Sequence, residues 1–399
     1  MVAKCERLVM GKKIKVHSLT GRITPELMRK AFKAVKRNRG AAGVDKVSIQ
    51  MFEANLDENL AALMRDLKAG GFRPKPLRRT MIPKGPDSDK LRPLGIPVVR
   101  DRVAQEVVRR LLAPVFEPLF HAASYGFIQG RNCHQAITRV LELHRQGYKV
   151  VLDADIKGFF DNIPHKIITD AVAAEIADGN ILRLVESFLT AGVMENGVFK
   201  PTTIGTPQGG VISPLLANLV LNHLDWRLHE AGYHFVRYAD DFVVVCRTKQ
   251  QAQEALTLVE RVLAEELGLA LSAEKTKVTT YGKGYDFLGF TLSSHSRRMR
   301  EKSVLKFQAK VRSLTVRKCN LDAEVIQCLN QVVRGTANYF GTCFSTNRRL
   351  FDKLDKWIRM RLRCMKWKRK SYRDNWKLRL NYFRHKLELV SLCDLCGYE

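Results

Sequence analysis

The chain has 399 residues, of which 45% are hydrophobic and 27% charged, a balance that excludes a disordered chain and allows two or three domains. Its 68 Lys and Arg against 40 Asp and Glu give a formal net charge of +28. Such a chain repels itself unless a polyanion shares its field, which favours nucleic acid as the partner. No stretch approaches the roughly 18 apolar residues that span a bilayer and no apolar signal core is present, so we expect no membrane contact and a cytoplasmic protein.

The first part of the chain alternates between helices and a broken pair of strands. Two helices are predicted over residues 23 to 69, where Thr24 followed by Pro25 is typical of a helix start. Short strands interrupted by Pro and Gly are predicted between residues 74 and 97. An apolar stripe with helical spacing then indicates a helix at residues 100 to 118.

The middle of the chain mixes strands and helices, whereas the end is helical. Strands are predicted at residues 149 to 155 and, as a hairpin, at 234 to 247. The helices predicted around them cover residues 166 to 190, 213 to 230 and 250 to 267. Strands disappear after about residue 300. The pattern therefore predicts an α+β body followed by an all-helical module.

Two acidic segments stand out in the α+β body. Tyr238-Ala239-Asp240-Asp241 places adjacent carboxylates at a hairpin tip between continuously apolar runs, which predict a hairpin buried on both faces. Acids at a turn are usually turn residues only, but a buried pair of like charges needs protons or metal ions as compensation. Asp153 and Asp155 fall on one face of the other strand by period-two alternation. Together these carboxylates could hold two Mg²⁺ ions about 3.5–4 Å apart, the arrangement that transfers nucleotides.

Several ordered blocks resemble reverse transcriptases of the group II intron branch. The Tyr-Ala-Asp-Asp hairpin and the Asp155 strand are similar to motifs C and A of that family. The other blocks are Gly43-Val-Asp45; Ile82-Pro-Lys84 with Arg92-Pro-Leu-Gly-Ile-Pro97; Tyr125-Gly-Phe-Ile-Gln-Gly-Arg131; Gly205-Thr-Pro-Gln-Gly-Gly210 with Ser213-Pro-Leu-Leu-Ala-Asn218; and Phe287-Leu-Gly-Phe290. The resemblance covers about residues 25 to 380.

The resemblance implies a right-hand polymerase. Its parts would be an N-terminal extension with fingers at residues 1–150, a palm at 151–299, a helical thumb or maturase module at 300–385 and a short tail at 386–399. The palm would be an antiparallel sheet packed on helices.

The resemblance also implies where the chemistry lies. Asp155, Asp240 and Asp241 would be the catalytic acids, with Asp241 ranked third because consecutive turn residues do not chelate easily in the same way. Asp153 would take no part. The implied ligands of two Mg²⁺ ions, for which Mn²⁺ could substitute, are Asp155, Ile156, Asp240 and Asp241. Lys275, in motif D, would protonate the leaving pyrophosphate or else be simply exposed to solvent.

Deoxynucleoside triphosphates are the implied substrates. Phe160 would pack under the sugar and exclude a 2′-hydroxyl, with plain core packing as the alternative. Lys84 and Arg92 would clamp the triphosphate, and Gln208 and Gly209 would approach the nucleotide or template. The implied nucleic-acid-binding residues are Arg37, Arg39, Arg131, Phe287, Gly289, Arg359, Arg363 and Lys366.

The end of the chain is strongly basic. Between residues 348 and 373 twelve Lys and Arg stand against two Asp, with aromatic residues interleaved, which predicts one inward face and one phosphate-binding face. By resemblance this module would grip an RNA template with its DNA or RNA primer, and structured intron RNA. The oligomeric state stays open.

The cysteines and the C-terminus leave alternatives. Nine scattered cysteines suit reduced thiols. Cys393 and Cys396 form a C-x-x-C that is either half of a zinc site or part of a frayed tail. Many family members continue into DNA-binding and endonuclease domains, whereas this sequence stops soon after the thumb module. We therefore expect a short bacterial form without endonuclease, or a standalone relative, in the cytosol or nucleoid.

The sequence thus predicts an RNA-directed DNA polymerase that extends a primer 3′-hydroxyl by two-metal nucleotidyl transfer. It would also act as a splicing maturase and in retrohoming. The alternatives are an RNA-binding maturase with little polymerase role, and a domesticated reverse transcriptase used in DNA repair or phage defence.

Overall fold

A computed structural model of the protein describes residues 8–9, 12–13, 15–83, 91–369, 376 and 378–396. They belong to two compact units, one running to Val278 and the other beginning at Thr279. The three short strands that follow residue 280 lie in the second unit with the helices after them. The palm boundary at residue 299 stays a prediction. Among the described residues, no helix is long and apolar enough to cross a membrane.

Ten α-helices are described in the first unit. They are α1 (Pro25–Arg37), α2 (Ile49–Ala54), α3 (Leu56–Ala69), α4 (Val99–Phe116), α5 (Cys133–Arg145), α6 (Phe159–Asn162), α7 (His165–Ala173), α8 (Gly179–Leu189), α9 (Ser213–Glu230) and α10 (Lys249–Arg261). Short 3₁₀ turns cover Thr20–Arg22 and Glu117–Leu119, and a π-helical turn at Val262–Glu266 extends α10.

Local side-chain caps decide where these helices begin. The predicted start of α1 is confirmed, since the Thr24 hydroxyl accepts from the N–H of Leu27 at 3.2 Å. The predicted helix at 166 to 190 is wrong as a single element. Asp178 caps α8 by accepting from the N–H groups of Asn180 and Ile181, so the helix is split in two.

The strands form four sheets. In chain order they are β1 (Leu8–Val9), β2 (Lys12–Lys13), β3 (Leu77–Pro83), β4 (Leu91–Ile96), β5 (Val150–Asp155), β6 (Val193–Glu195), β7 (Val198–Lys200), β8 (His234–Tyr238), β9 (Asp241–Cys246), β10 (Lys277–Thr280), β11 (Tyr285–Phe287), β12 (Phe290–Leu292) and β13 (Arg297–Met299). The strand orders are β1-β2, β4-β3-β6-β7, β10-β5-β9-β8 and β11-β12-β13.

The β10-β5-β9-β8 sheet carries the acidic segments. β8 and β9 form the predicted hairpin, and β9 also pairs antiparallel with β5. The interior of β9 is buried throughout because α10 packs on β5 and β9 while α5 packs on β8. The predicted sheet packed on helices is therefore present. Continuous burial explains why these strands read as apolar runs rather than as alternating ones.

In the second unit the structure describes a small sheet with three helices, α11 (Glu301–Leu314), α12 (Ala323–Phe340) and α13 (Arg348–Lys366), and a π-helical turn at Tyr382–Lys386. The stripe predicted to face inward on α13 consists of Leu354, Trp357, Ile358, Arg361, Leu362 and Met365. Four of these are buried, and Trp357 and Arg361 are half-buried. Asp355 on the same helix is also buried, and it accepts bonds from Ser391, Leu392 and Cys393. The end of the described chain is thereby tied to α13.

Candidate active site in the palm

Two carboxylates face each other where strands of the palm sheet end and begin. Asp155 is the last residue of β5 and Asp241 the first of β9, and the register pairs them directly. Side chains of directly opposed residues share one face, with Cβ atoms roughly 4.5–5.5 Å apart. Asp241, ranked third from the sequence, thus lies in register with Asp155. It is exposed, and Asp155 is partly so.

Asp240 lies in the two-residue turn that joins β8 to β9. The preceding Ala239 has φ +58°, a left-handed conformation that is costly for a residue with a side chain. Burial raises the pKa of Asp240, and the Asp155 charge raises it further, while Lys275 and Arg237 lower it. The charged form of Asp240 therefore lacks full compensation from the protein alone, which is the situation that a bound cation relieves.

Two lysines pair with the two acids of β5. Lys275 Nζ lies 2.9 Å from Asp155 Oδ2, and Lys277 Nζ lies 3.5 Å from Asp153 Oδ2. Asp153 thus has a cation of its own. Lys275, the predicted general acid, thus lies beside the catalytic-acid candidate Asp155, and its side chain is 66% exposed.

The surroundings of Phe160 tie it to the glycine loop. Phe160 is half-buried, edge-on to Phe159 at 5.3 Å, and packs against the core of the first unit. Its carbonyl accepts from the N–H of Thr206 at 2.7 Å. The ring of Phe160 therefore packs against the core, and this contact is compatible with both predicted roles, exclusion of a 2′-hydroxyl and plain core packing.

The loop at residues 205 to 210 approaches its neighbours closely. Gly209 has φ +113°, and a Cβ built on it would lie 2.3 Å from the Gly95 carbonyl oxygen, so a side chain does not fit there. Gln208 accepts from the N–H of Gly95 through its carbonyl at 2.7 Å, and its amide donates to Asp161 at 3.3 Å. The loop is thereby braced against β4.

The basic residues predicted to contact nucleotide or nucleic acid differ in whether their side chains are exposed or bonded within the protein. Arg92 is exposed on β4, and Arg37 and Arg39 are exposed at and after the end of α1. Arg131 instead donates to the carbonyls of His121 and Ser124 at 2.7 and 2.5 Å, so it braces its own loop. Lys84 lies outside the described residues.

In the second unit, too, some of the predicted nucleic-acid-binding residues are exposed and others are engaged within the protein. Phe287 is buried in β11, and Gly289 takes φ +83° in the turn before β12. Arg363 donates to the carbonyl of Leu378 at 2.7 and 3.1 Å, whereas Lys366 is exposed and Arg359 is half-buried.

A buried ion pair behind the acidic turn is absent from the predictions. Arg237 and Asp225 are 0% and 1% exposed, and the guanidinium makes two bonds to the carboxylate at 2.8 and 2.5 Å. The prediction of a continuously apolar run in β8 is therefore wrong at this one position. The available signal was the charge itself, since an arginine inside a buried strand requires a partner.

The terminal cysteines make local contacts. The thiol of Cys393 contacts the Arg348 carbonyl at 3.7 Å, and that of Cys396 contacts the Leu392 carbonyl at 3.0 Å. Burial, together with Asp355, raises the pKa of Cys393 to about 12. Up to Cys396, the tail is therefore packed against α13 rather than frayed.

Magnesium places modest demands on the palm carboxylates. Among the described residues no group of three or more His, Cys, Asp or Glu side chains is arranged to hold a metal ion. Magnesium keeps several waters and is commonly held by one or two carboxylates plus substrate phosphates. The opposed pair Asp155 and Asp241 meets that demand, and Ile156 could add only its backbone carbonyl.

Comparisons with known proteins agree with this geometry. Residues 82–292 match the family model of the reverse transcriptase (RNA-dependent DNA polymerase), and residues 304–384 match the group II intron, maturase-specific domain. Protein YkfC of Escherichia coli is 34% identical over 308 residues, 67% of this chain and 80% of that protein. The group II intron-encoded protein LtrA of Lactococcus lactis is 28% identical over 360 residues, 74% of this chain but only 58% of LtrA. The chain therefore belongs to the reverse transcriptases, RNA-directed DNA polymerases that use divalent metal ions, and carries the maturase-specific domain of group II intron proteins.

Proposed function

We propose that Asp155, Asp240 and Asp241 are the catalytic acids of this polymerase and act through two Mg²⁺ ions, with Mn²⁺ as a substitute. The direct register of Asp155 with Asp241, one residue from Asp240, carries the proposal. When bound, the ions would activate a primer 3′-hydroxyl and stabilise the charge that develops on the α-phosphate. The acids would hold the ions, and Lys275 would donate a proton to the leaving pyrophosphate.

The substrates and partners follow from the residues around this site. Phe160, beside the acids in sequence and half-buried, would favour deoxynucleotides, and exposed Arg92 would contact the triphosphate. An RNA template and a DNA or RNA primer would lie along the palm, while the basic maturase-specific domain would also bind intron RNA for splicing and retrohoming. Such a protein would work beside its nucleic acids in the bacterial cytosol or nucleoid.

Primer extension on an RNA template tests the assignment. We would compare wild type with Asp240→Ala in Mg²⁺ and either deoxynucleotides or ribonucleotides. Asp153→Asn is the matched control, because this acid lies two residues before Asp155 but pairs with Lys277. Loss of cDNA in Asp240→Ala alone is expected. Equal activity in Asp240→Ala and wild type would overturn the assignment of the acids.

Splicing separates the two roles of the chain. Asp240→Ala should still bind intron RNA and promote splicing, because no phosphoryl transfer by the palm is needed for RNA stabilisation. Loss of splicing in a folded Asp240→Ala protein would contradict this separation.

A further inference from the structure

The buried Arg237 does more than pair with Asp225. Its Nη1 donates to the carbonyl of Ala239 at 2.9 Å, in the acidic turn, and to Asn218 Oδ1 at 2.9 Å. The amide of Asn218 in turn donates to the Gly126 carbonyl at 2.6 Å. One guanidinium thereby connects helix α9, the turn and the segment around Gly126.

That segment presses directly on the turn. A Cβ added to Gly126 would lie 2.3 Å from the Ala239 nitrogen, so only glycine allows this approach. The backbone of Arg237 also makes two hydrogen bonds to this segment. Its carbonyl accepts from the Tyr125 N–H at 2.8 Å, and its N–H donates to the Ala123 carbonyl at 2.9 Å. The turn is therefore held from the strand, from the helix and from the neighbouring loop.

Stability alone is a poor reason for this arrangement. Desolvating two charges costs about as much as their attraction returns, and apolar residues of similar volume often replace such pairs without loss. By contrast, a residue such as Ala239 in a left-handed conformation persists only where its surroundings over-determine it. The bond from Arg237 to the Ala239 carbonyl supplies such a constraint.

We propose that Arg237, held by Asp225 and Asn218, is a positioning residue for nucleotidyl transfer. It fixes the turn in the conformation that keeps Asp240 and Asp241 at the metal-binding edge of the palm. The proposal rests on the proposed catalytic role of these acids. Because Arg237 is 0% exposed, it would act through the turn and not by contact with substrate or metal.

Asn218→Ala is the test, with Asn222→Ala as its control. Asn222 lies one turn further along α9 and makes an equivalent pair of bonds, accepting from His121 N–H at 3.0 Å and donating to the Leu119 carbonyl at 3.2 Å. Each variant loses two bonds made by an asparagine of α9: Asn218→Ala loses those to Arg237 and Gly126, and Asn222→Ala loses those to His121 and Leu119. Comparing the two therefore removes the general effect of losing such bonds. Only Asn218→Ala loosens the support of the turn.

Three readouts distinguish the two variants. In primer extension we expect kcat of Asn218→Ala to fall about 100-fold, as for a small misplacement of reacting groups, with KM for the deoxynucleotide nearly unchanged. Its half-maximal rate should need more Mg²⁺ than that of Asn222→Ala. Amide hydrogen exchange at residues 239 to 241, measured without metal, should be faster. Equal kcat, Mg²⁺ dependence and exchange in both variants would overturn the proposal.

A double variant guards against misfolding. Arg237→Met with Asp225→Leu removes both buried charges at similar volume, so the fold should survive while the bond to Ala239 is lost. A folded double variant with wild-type kcat would also overturn the proposal. Asp240→Ala keeps the two hypotheses apart. If Asp240→Ala retains full activity, the catalytic assignment fails; if it is inactive and Asn218→Ala matches Asn222→Ala, only the positioning role fails.

Discussion

Replacing Lys275 by methionine separates a proton donor from a surface ion pair. Its bond to Asp155 is 2.9 Å long, and the two side chains are 66% and 41% exposed. Coulomb's law at the dielectric constant of water gives about 1.4 kcal/mol for this distance, and the entropy of ordering the side chains reduces it to about 0.5 kcal/mol. The unfolding temperature should therefore hardly change in Lys275→Met.

Catalysis should respond far more strongly than stability. A positioned general acid typically contributes 10²–10⁴-fold, or about 3–5 kcal/mol of barrier, which exceeds the ion-pair energy several times. Single-turnover primer extension with saturating deoxynucleotide measures this effect without interference from product release. We expect the chemical step of Lys275→Met to slow by at least about 100-fold.

Two further variants make the result decisive. Lys277→Met is the matched control, because Lys277 pairs with Asp153 at 3.5 Å, two residues along, and should leave the rate unchanged. Lys275→Arg keeps the positive charge but does not release a proton. If Lys275→Arg keeps the wild-type rate, or if Lys275→Met slows the reaction less than twofold, the general-acid role is refuted.

Three other predictions concern separate parts of the chain. Phe160→Ala should raise ribonucleotide use relative to deoxynucleotide use by at least about tenfold, measured as a ratio of kcat/KM. Burial raises the pKa of Asp101 to about 6, so the folded protein holds this proton more tightly than the unfolded chain does. The free energy of unfolding of wild type, relative to that of Asp101→Asn, should therefore fall by up to about 3 kcal/mol between pH 4 and pH 7. Asp355→Ala should cost the second unit about 2–4 kcal/mol and remove exchange protection from the amides of Leu392 and Cys393.

Each of these has a contrary result. An unchanged sugar preference would return Phe160 to plain core packing. A pH-independent difference in denaturant unfolding would show that the Asp101 carboxyl titrates normally when buried. Retained protection at residues 392 and 393 would mean that the tail is held by its apolar contacts rather than by Asp355.

Features with a local signal could be predicted from the sequence. Helix α9 was predicted at residues 213 to 230 and has those bounds, because a Pro stands at its start and its apolar run is longer than a strand. The β8–β9 hairpin was predicted because two buried strands flank a turn of polar residues. In both, the pattern and the structure involve the same few neighbouring residues.

Features that depend on residues far apart in the chain could not be predicted from the sequence. Arg237 and Asp225 lie on different elements, and nothing in either neighbourhood indicates that they meet in the core. Residue type alone also does not show what a guanidinium contacts. The resemblance implies nucleic-acid contacts for Arg131 and Arg363, which stay predictions, and it did not reveal that these side chains donate to the carbonyls of His121 and Leu378. Asp178 begins a second helix, after α7 has ended at Ala173, through a side-chain cap that the apolar period does not reveal.

The two lysine–aspartate pairs on β5 bear on how the palm is assembled. Since Lys275 and Lys277 pair with Asp155 and Asp153, the two acids of β5 carry their own counter-ions while the chain folds. Folding of this sheet is then uncoupled from the metal supply, unlike that of domains which are unfolded without their zinc. If Asp155 binds the ion as proposed, loading is an exchange in which a hydrated dication displaces the ammonium group of Lys275. We therefore expect that metal can be removed from the polymerase and returned to it without unfolding the sheet.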